Sequence, residues 1–370
     1  MRKVAVFFGG KSCENEISVL TGIFVLNLLD RAKYTPVPIY VHTDGGMYTS
    51  SAMYDLESFR RKKMENFQKI FLDGATVYAF NPKKKGVKRL TEIDVALNCC
   101  HGGLGEGGGV SALTEWNGIP FASPDITASS VFMDKSFTKL VMRALNIPTV
   151  DYVRVNEADY QKRGAFLLKS IESRLKYPVV VKPAHLGSSI GIAVAENEAQ
   201  AKQAIENAFA IDNRVIIEKY VRDKKDVNCA AYIRNGEIFV SEPEEAFGDG
   251  LYSFEEKYVK RTQDGGKACK KKAVSGEIRD KIRSYTKTVY KRMDLKGVVR
   301  MDFLVGEGKI YLCEVNTVPG SLAYYLFCER ISDARAFFGD LIEDAMAQAN
   351  KEEKKIVRTG ILQSVRWRTK

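Results

Sequence analysis

Residues 297–320, GVVRMDFLVGEGKIYLCEVNTVPG, constrain the chain most, because they read as a β-hairpin with hard oxygen donors on its inward face. Two β-rich stretches, 298–305 and 309–315, flank Gly306-Glu307-Gly308, where glycine supplies the positive φ that a tight reversal needs. Arg300 and Asp302 are two apart on the first strand, and Glu314 and Asn316 are two apart at the end of the second. A period of two therefore puts each pair on one face. Pairing about the turn brings the two sets opposite each other. Two carboxylates and a carboxamide beside an arginine, on a hairpin otherwise built of residues such as Val299, Phe303 and Leu312, suit Mg²⁺ held jointly with phosphates. The competing reading is a solvated charged face with a chance Glu-x-Asn.

A chain of 370 residues has room for two or three packed units. With 45% hydrophobic and 28% charged residues it has the composition of a soluble globular protein. No run approaches the roughly 18 apolar residues of a membrane helix, and Met1-Arg2-Lys3 leads straight into a strand with no space for a signal peptide. The expectation is a cytoplasmic protein without a membrane partner. The seven cysteines are scattered and contain no C-x-x-C pair, so neither a zinc site nor a disulfide framework is indicated. The net charge of +11 sits in short runs (83–85, 270–272, 366–370) without an aromatic-interleaved platform, which argues against nucleic acid and for a basic face that attracts nucleotide phosphates.

Residues 4–8 form an apolar strand, followed by Gly9-Gly10-Lys11-Ser12-Cys13-Glu14 and a helix-period run over 17–29. Strand, glycine turn and helix is how an open α/β sheet presents N–H groups to an anion. Glu14, where an anion would approach, favours a ligand with an amine; its alternative role is a first-turn acid complementing the helix dipole. Residues 37–41 are a second strand, and 45–89 a polar, lysine-rich, peripheral excursion. A buried strand at 94–98 runs into HGGLGEGGG, a glycine density that requires close backbone approach. His101 there either orients a substrate or satisfies a buried hydrogen bond. Helices are expected over 110–116 and 127–146, the latter with Met133-Asp134-Lys135 inside it.

Past Ile147-Pro148 the pattern changes. A buried strand over 178–183 precedes Leu186-Gly187-Ser188-Ser189-Ile190-Gly191, a small-residue loop able to lay N–H and hydroxyl donors on phosphate oxygens. A strand over 192–195, a helix over 198–210, a strand over 214–217 and a hairpin about Asn235-Gly236 follow. Residues 243–272 are long, polar and irregular, as functional lids are. Helices are expected over 275–293 and 332–350.

Taken in order, GGKSCENEIS, HGGLGEGG, MDK at 133–135, VVVKP with LGSSIG, IIEKY, EEKY at 255–258, RMD and EVNTVPG resemble the D-alanine:D-alanine ligase family of the ATP-grasp superfamily. The resemblance implies an α/β (α+β) fold with three-domain ATP-grasp architecture. Its parts would be an N-terminal open α/β sheet domain (1–133), a central ATP-grasp subdomain (134–217), a C-terminal subdomain with the metal site (218–350) and a basic tail (351–370). It implies ATP and two Mg²⁺ ions, with Mn²⁺ as a substitute, small amino acids as substrates and a homodimer.

Position by position, the resemblance implies that Lys135 and Lys182 hold ATP phosphates and that Ser188 and Ser189 close over the transferred phosphate. Glu218, Lys219 and Val221 would meet adenine, with Asp226 on the ribose and Lys257 approaching from the lid. Asp302, Glu314 and Asn316 would bind metal. Glu14 would take the amine of the first amino acid, in a trio with Ser188 and Tyr258, and Arg300 and Gly320 would stabilise the tetrahedral transition state. His101, Tyr325 and Leu326 complete the substrate set. The implied reaction makes D-alanyl-D-alanine for peptidoglycan precursors.

The chain departs from the family pattern at Gly107 and Leu186, and it lacks Pro-Ala around 268–273. Most pointed is Tyr325, which stands where the family places a serine toward the second substrate's carboxylate. Two other functions stay open on these residues: a ligase of the same mechanism with another amino acid, hydroxy acid or amine as acceptor, and a nucleotide-binding relative without turnover.

Overall fold

The computed structural model describes residues 1–60, 64–81, 85–246, 273–352 and 359–364. Strand β1 (Arg2–Gly9) is buried along nearly its whole length, as a central strand of a parallel sheet must be. Helix α1 (Asn15–Leu28) returns the chain to β2 (Tyr34–Val41). Then come β3 (Met47–Thr49), the single turn α2 (Glu57–Arg60), β4 (Gln68–Asp73), β5 (Thr76–Asn81), β6 (Gly86–Glu92) and β7 (Val95–Asn98). Together they make one seven-stranded sheet in the order β6-β5-β4-β3-β2-β1-β7, with β1 parallel to both β2 and β7. Strands β3 to β6 run antiparallel beyond β2, so the stretch expected to be a peripheral excursion instead extends the sheet. Ile70, Val77 and Ala79 are buried there, a short alternation that the surrounding lysines mask in the sequence.

A second correction concerns residues 127–146. They form two helices, α4 (Ile126–Met133) and α5 (Lys135–Ala144), after α3 (Val110–Trp116). Asp134 adopts an extended conformation between them, and its carboxylate accepts from the backbone N–H groups of Ser136 and Phe137 at 2.8 and 3.3 Å. An aspartate is worth more as a cap than inside a helix, so it ends one and starts the next.

The middle of the chain is a separate sandwich. Strand β8 (Tyr152–Asn156) and helix α6 (Glu157–Leu175) precede β9 (Val179–Pro183), β10 (Ala193–Ala195), α7 (Glu198–Phe209) and β11 (Arg214–Lys219). The antiparallel order is β10-β9-β11-β8, and α6 and α7 bury Leu168, Ile171, Ala201 and Ile205 against it. Neither β8 nor α6 was singled out from the sequence, although Val153 and Val155 alternate inward.

A third sheet orders β13-β12-β15-β16, built from β12 (Lys225–Arg234), β13 (Glu237–Val240), β14 (Glu244–Glu245), β15 (Val299–Gly306) and β16 (Lys309–Asn316), with β14 pairing β12. Helix α8 (Gly276–Arg292) packs on it, and α9 (Ala334–Glu352) crosses to the first sheet. Phe337, Phe338, Leu341 and Ile342 of α9 share one core with Val4, Val6 and Phe8, and the Tyr34 hydroxyl donates to Glu343 at 2.8 Å. The first and last sheets are thereby joined. Among the described residues no helix is long and apolar enough to cross a membrane. Most of the expected lid, with Lys257 and Tyr258, and the end of the basic tail lie outside the described residues.

Candidate active site

The neighbours of β1 lie on opposite sides of it, so the loops after β1 and β7 part at a topological switch, the place where open α/β sheets bind ligands. Ser18 Oγ accepts from Gly9 N at 2.6 Å and donates to Cys99 O at 2.6 Å, tying the two loops. Glu14 projects between bare backbones. A Cβ on Gly102, whose φ is +65°, would come within 2.5 Å of Glu14 Oε2, and one on Gly187 within 2.9 Å. Ser188, from the loop between β9 and β10, donates its hydroxyl to Glu14 Oε1. Ser188 and Ser189 both have positive φ, 53° and 58°, strain that this closure maintains.

His101 is 3% exposed and has both ring nitrogens engaged. Burial pushes it down to about 4, so the ring is neutral. Nδ1 lies 2.7 Å from Val318 O, which can only accept, so Nδ1 carries the proton. Nε2 then accepts from Thr21 Oγ1 at 2.8 Å, and Thr21 in turn accepts from Ser321 N at 3.3 Å. The buried hydrogen-bond role is thus filled, and the relay fixes residues 318–321 against α1. Gly320 follows in that segment, and Ser321, Leu322 and Ala323 take left-handed backbone conformations before Tyr325.

Glu106, the one acid among residues 102–109, received no role from the sequence. It accepts from Gly102 N at 2.8 Å and Val318 N at 3.2 Å, clamping the glycine loop to the segment that follows β16. Burial raises its carboxyl to about 7. Its position as a lone acid in a glycine run was the available signal.

The hairpin pairs as its alternation implies, with Asp302 opposite Glu314 and Arg300 opposite Asn316. Arg300 forks onto Asp302 at 2.7 and 2.9 Å and donates its remaining Nη1 to the Tyr325 hydroxyl at 3.1 Å. Asn316 Nδ2 donates to Asp302 at 3.0 Å. Glu314 Oε1 is 2.9 Å from Lys135 Nζ. Burial opposes ionisation of Glu314, yet Lys135 holds its carboxyl below the ordinary value. The donor set of two carboxylates and an amide oxygen, on adjacent strands and balanced by cations, fits a hard divalent ion.

Deeper in the groove between the central and last sheets, Glu218 is 3% exposed and lies between two lysines, Lys139 at 2.8 Å and Lys182 at 2.6 Å. Despite its burial, Lys182 and Lys139 keep its carboxyl at about 2. Lys139, not anticipated from the sequence, is fully buried and also donates to Val150 O at 2.9 Å. Val221 packs with Val150 and Leu304 beside Cys313, an apolar pad next to those charges. Lys219 is exposed at the end of β11, and Asp226 pairs with Lys224 at 2.8 Å on the rim.

A cavity of about 580 Å³ gathers Glu14, His101, Lys135, Ser188 and Ser189 with Arg300, Asp302, Glu314 and Asn316, and Gly320 and Tyr325 also line it. Lys182, Glu218, Lys219, Val221 and Asp226 are not on its wall. Leu326 is buried in the shared core instead of facing the cavity.

The chain is similar to known proteins over most of its length. Residues 3–124 match the family model described as D-ala D-ala ligase N-terminus, and residues 141–347 the one described as D-ala D-ala ligase C-terminus. The D-alanine–D-alanine ligase of Thermosipho melanesiensis is 34% identical over 334 residues, covering 88% of this chain and 89% of the relative. That of Caldicellulosiruptor bescii is 31% identical over 363 residues, covering 96% and 97%. The crystal structure of D-alanine–D-alanine ligase from Helicobacter pylori superposes with a TM-score of 0.76 at 28% identity, over 93% of this chain and 98% of that one.

Proposed function

The chain belongs to the D-alanine–D-alanine ligase family, and on that premise we propose that its cavity joins two D-alanine molecules at the expense of ATP. A free carboxylate is a poor electrophile at neutral pH. One carboxylate oxygen of the first D-alanine attacks the γ-phosphorus, ADP leaves, and an acyl phosphate remains. The unprotonated amine of the second D-alanine then attacks the acyl carbon, and inorganic phosphate departs as the amide forms.

The residues divide that work by charge. Glu14, between Gly102 and Gly187, offers a carboxylate to the first substrate's ammonium, and Ser188 fixes its orientation. Lys135 and Lys182 neutralise phosphate oxygens, while Ser188 and Ser189 cover them, with Lys257 and Tyr258 assigned to the lid. Glu218, Lys219 and Val221 receive adenine over the apolar pad, and Asp226 the ribose. Arg300 and the backbone at Gly320 face the developing oxyanion. Asp302, Glu314 and Asn316 would hold Mg²⁺ or Mn²⁺ together with ATP oxygens, and when bound the ions would neutralise charge on the transferred phosphoryl group. ATP as co-substrate supports a cytoplasmic reaction, whose product would enter peptidoglycan synthesis. A homodimer is the assembly the family implies, and sedimentation reads it directly.

The single observation carrying this reading is that Glu14, Lys135, Ser188, Arg300, Asp302, Glu314 and Asn316, dispersed over the sequence, line one cavity. ADP release that depends on D-alanine, with the dipeptide identified by mass spectrometry, tests it. A second reading, a different acceptor, is favoured by one observation: Tyr325 lines the cavity with Gly320, and its hydroxyl accepts from Arg300. A panel of D-serine, D-lactate and L-alanine as acceptors separates the two.

A further inference from the structure

At the root of the loop that brings Ser188 to Glu14, four charged side chains close on one another outside the cavity. His185 is half-buried, with Nδ1 2.9 Å from Asp212 Oδ1, and its backbone N–H donates to Asp212 Oδ2 at 2.8 Å. Its Nε2 lies 3.4 Å from Asp134 Oδ2. Arg214 pairs with that same Asp134 oxygen, and Arg214 Nη1 is 3.4 Å from His185 Nε2. Asp134 meanwhile caps α5 through Ser136. The next residue, Lys135, grips the loop on both sides of His185: its backbone N–H donates to Ala184 O at 3.0 Å, and its ammonium to Leu186 O at 2.6 Å. That ammonium is also the one beside Glu314.

We infer that His185 is a positioning residue for ATP, holding residues 186–189 in register with Lys135. The inference rests on the proposed role of those residues as the phosphate cover. With the imidazole charged, the quartet balances two carboxylates with two cations, and each ring nitrogen has an N–H to direct at a carboxylate. Neutral imidazole leaves Asp134 and Asp212 sharing Arg214 and turns one ring nitrogen's lone pair toward a carboxylate. Hydrogen bonds to Asp134 and then Asp212 lift the ring to about 9, against the opposing effect of burial. Asp134, although burial disfavours its charge, is held well below the usual carboxylate range by His185, Ser136 and Arg214. At neutral pH the loop root is therefore locked by charge, and deprotonation of His185 releases it while the Asp134–Arg214 pair keeps the helix cap.

The test is steady-state ADP release by the full chain, with ATP varied at saturating D-alanine from about pH 7 to about pH 10. His185→Asn is expected to raise KM for ATP about tenfold at neutral pH with a much smaller change in kcat. His185→Arg, which keeps a cation, is expected to stay within about threefold of the wild type and to shift the high-pH fall in kcat/KM for ATP further upward. Asp212→Asn removes one of the two carboxylates and should bring that fall to lower pH, a readout that stands even where His185→Asn does not fold. An unchanged KM in His185→Asn, including one accompanied by a lower Tm, overturns the inference, as does a high-pH fall identical in all variants. A wild type that releases no ADP with D-alanine, alone or paired with D-serine, D-lactate or L-alanine, overturns the phosphate-loop reading and the inference with it.

Discussion

Lys135 Nζ and Glu314 Oε1 lie 2.9 Å apart, joining the first turn of α5 to the C-terminal end of β16. This pair sets a proposed phosphate-binding cation against a proposed metal ligand. Each neutralises the other until a ligand of opposite demand arrives. Glu314→Gln keeps the shape and removes the charge, so D-alanine-dependent turnover should fall by at least about a hundredfold. Far-ultraviolet circular dichroism should be unchanged. Turnover at the wild-type level in a folded variant would remove Glu314 from the metal set.

Tyr325, on the cavity wall, accepts a hydrogen bond from Arg300. Tyr325→Phe deletes that acceptor, a change of about 1 kcal/mol, or about fivefold, in kcat/KM for the second substrate. Tyr325→Ser also opens volume and should broaden acceptor use toward larger side chains. Identical acceptor ratios in wild type and both variants would show that Tyr325 does not line the acceptor subsite.

How much of this was legible in the sequence follows from the range of the signal. The hairpin of β15 and β16 was readable because Asp302, Glu314 and a glycine turn are fixed by a period of two and a few residues of chain. Strands β3 to β6 were not, because their buried positions, Ile70, Val77 and Ala79, are sparse among polar residues and are specified by a chain of pairings, β2 to β3, β3 to β4, β4 to β5 and β5 to β6. The break at Asp134 lay in plain view as Asp-x-Ser, but helical periodicity on both sides outweighed one cap. Glu106, Lys139 and His185 carry no local spacing at all. Their partners, Val318, Glu218 and Asp212, are set by tertiary packing.

Glu106 predicts a pH dependence of stability. Its ordinary value is 4.5, and burial raises the folded value to about 7. Between those values the folded state holds more protons than the unfolded one, so stability present near pH 5 declines as pH rises through about 7. The shift corresponds to about 3 kcal/mol. Urea midpoints measured without divalent cations should fall more over that window in the wild type than in Glu106→Gln, because the other titrating groups contribute equally to both proteins. Parallel curves for the two proteins would contradict the assignment.

Lys139 has a fully buried side chain against Glu218. Lys139→Met removes one of two cations from a buried carboxylate and the donor to Val150 O, and should cost about 3 kcal/mol. A loss below about 1 kcal/mol in urea unfolding would mean that Lys182 alone balances Glu218.

The most direct measurement is ADP release with ATP and Mg²⁺ in the absence of amino acid, with D-alanine, with L-alanine, and with D-alanine paired with D-lactate, with products identified by mass spectrometry. ADP formed only when D-alanine is present, in step with D-alanyl-D-alanine, is the expected result. ADP release indifferent to D-alanine, or a different ligation product in its place, would contradict it.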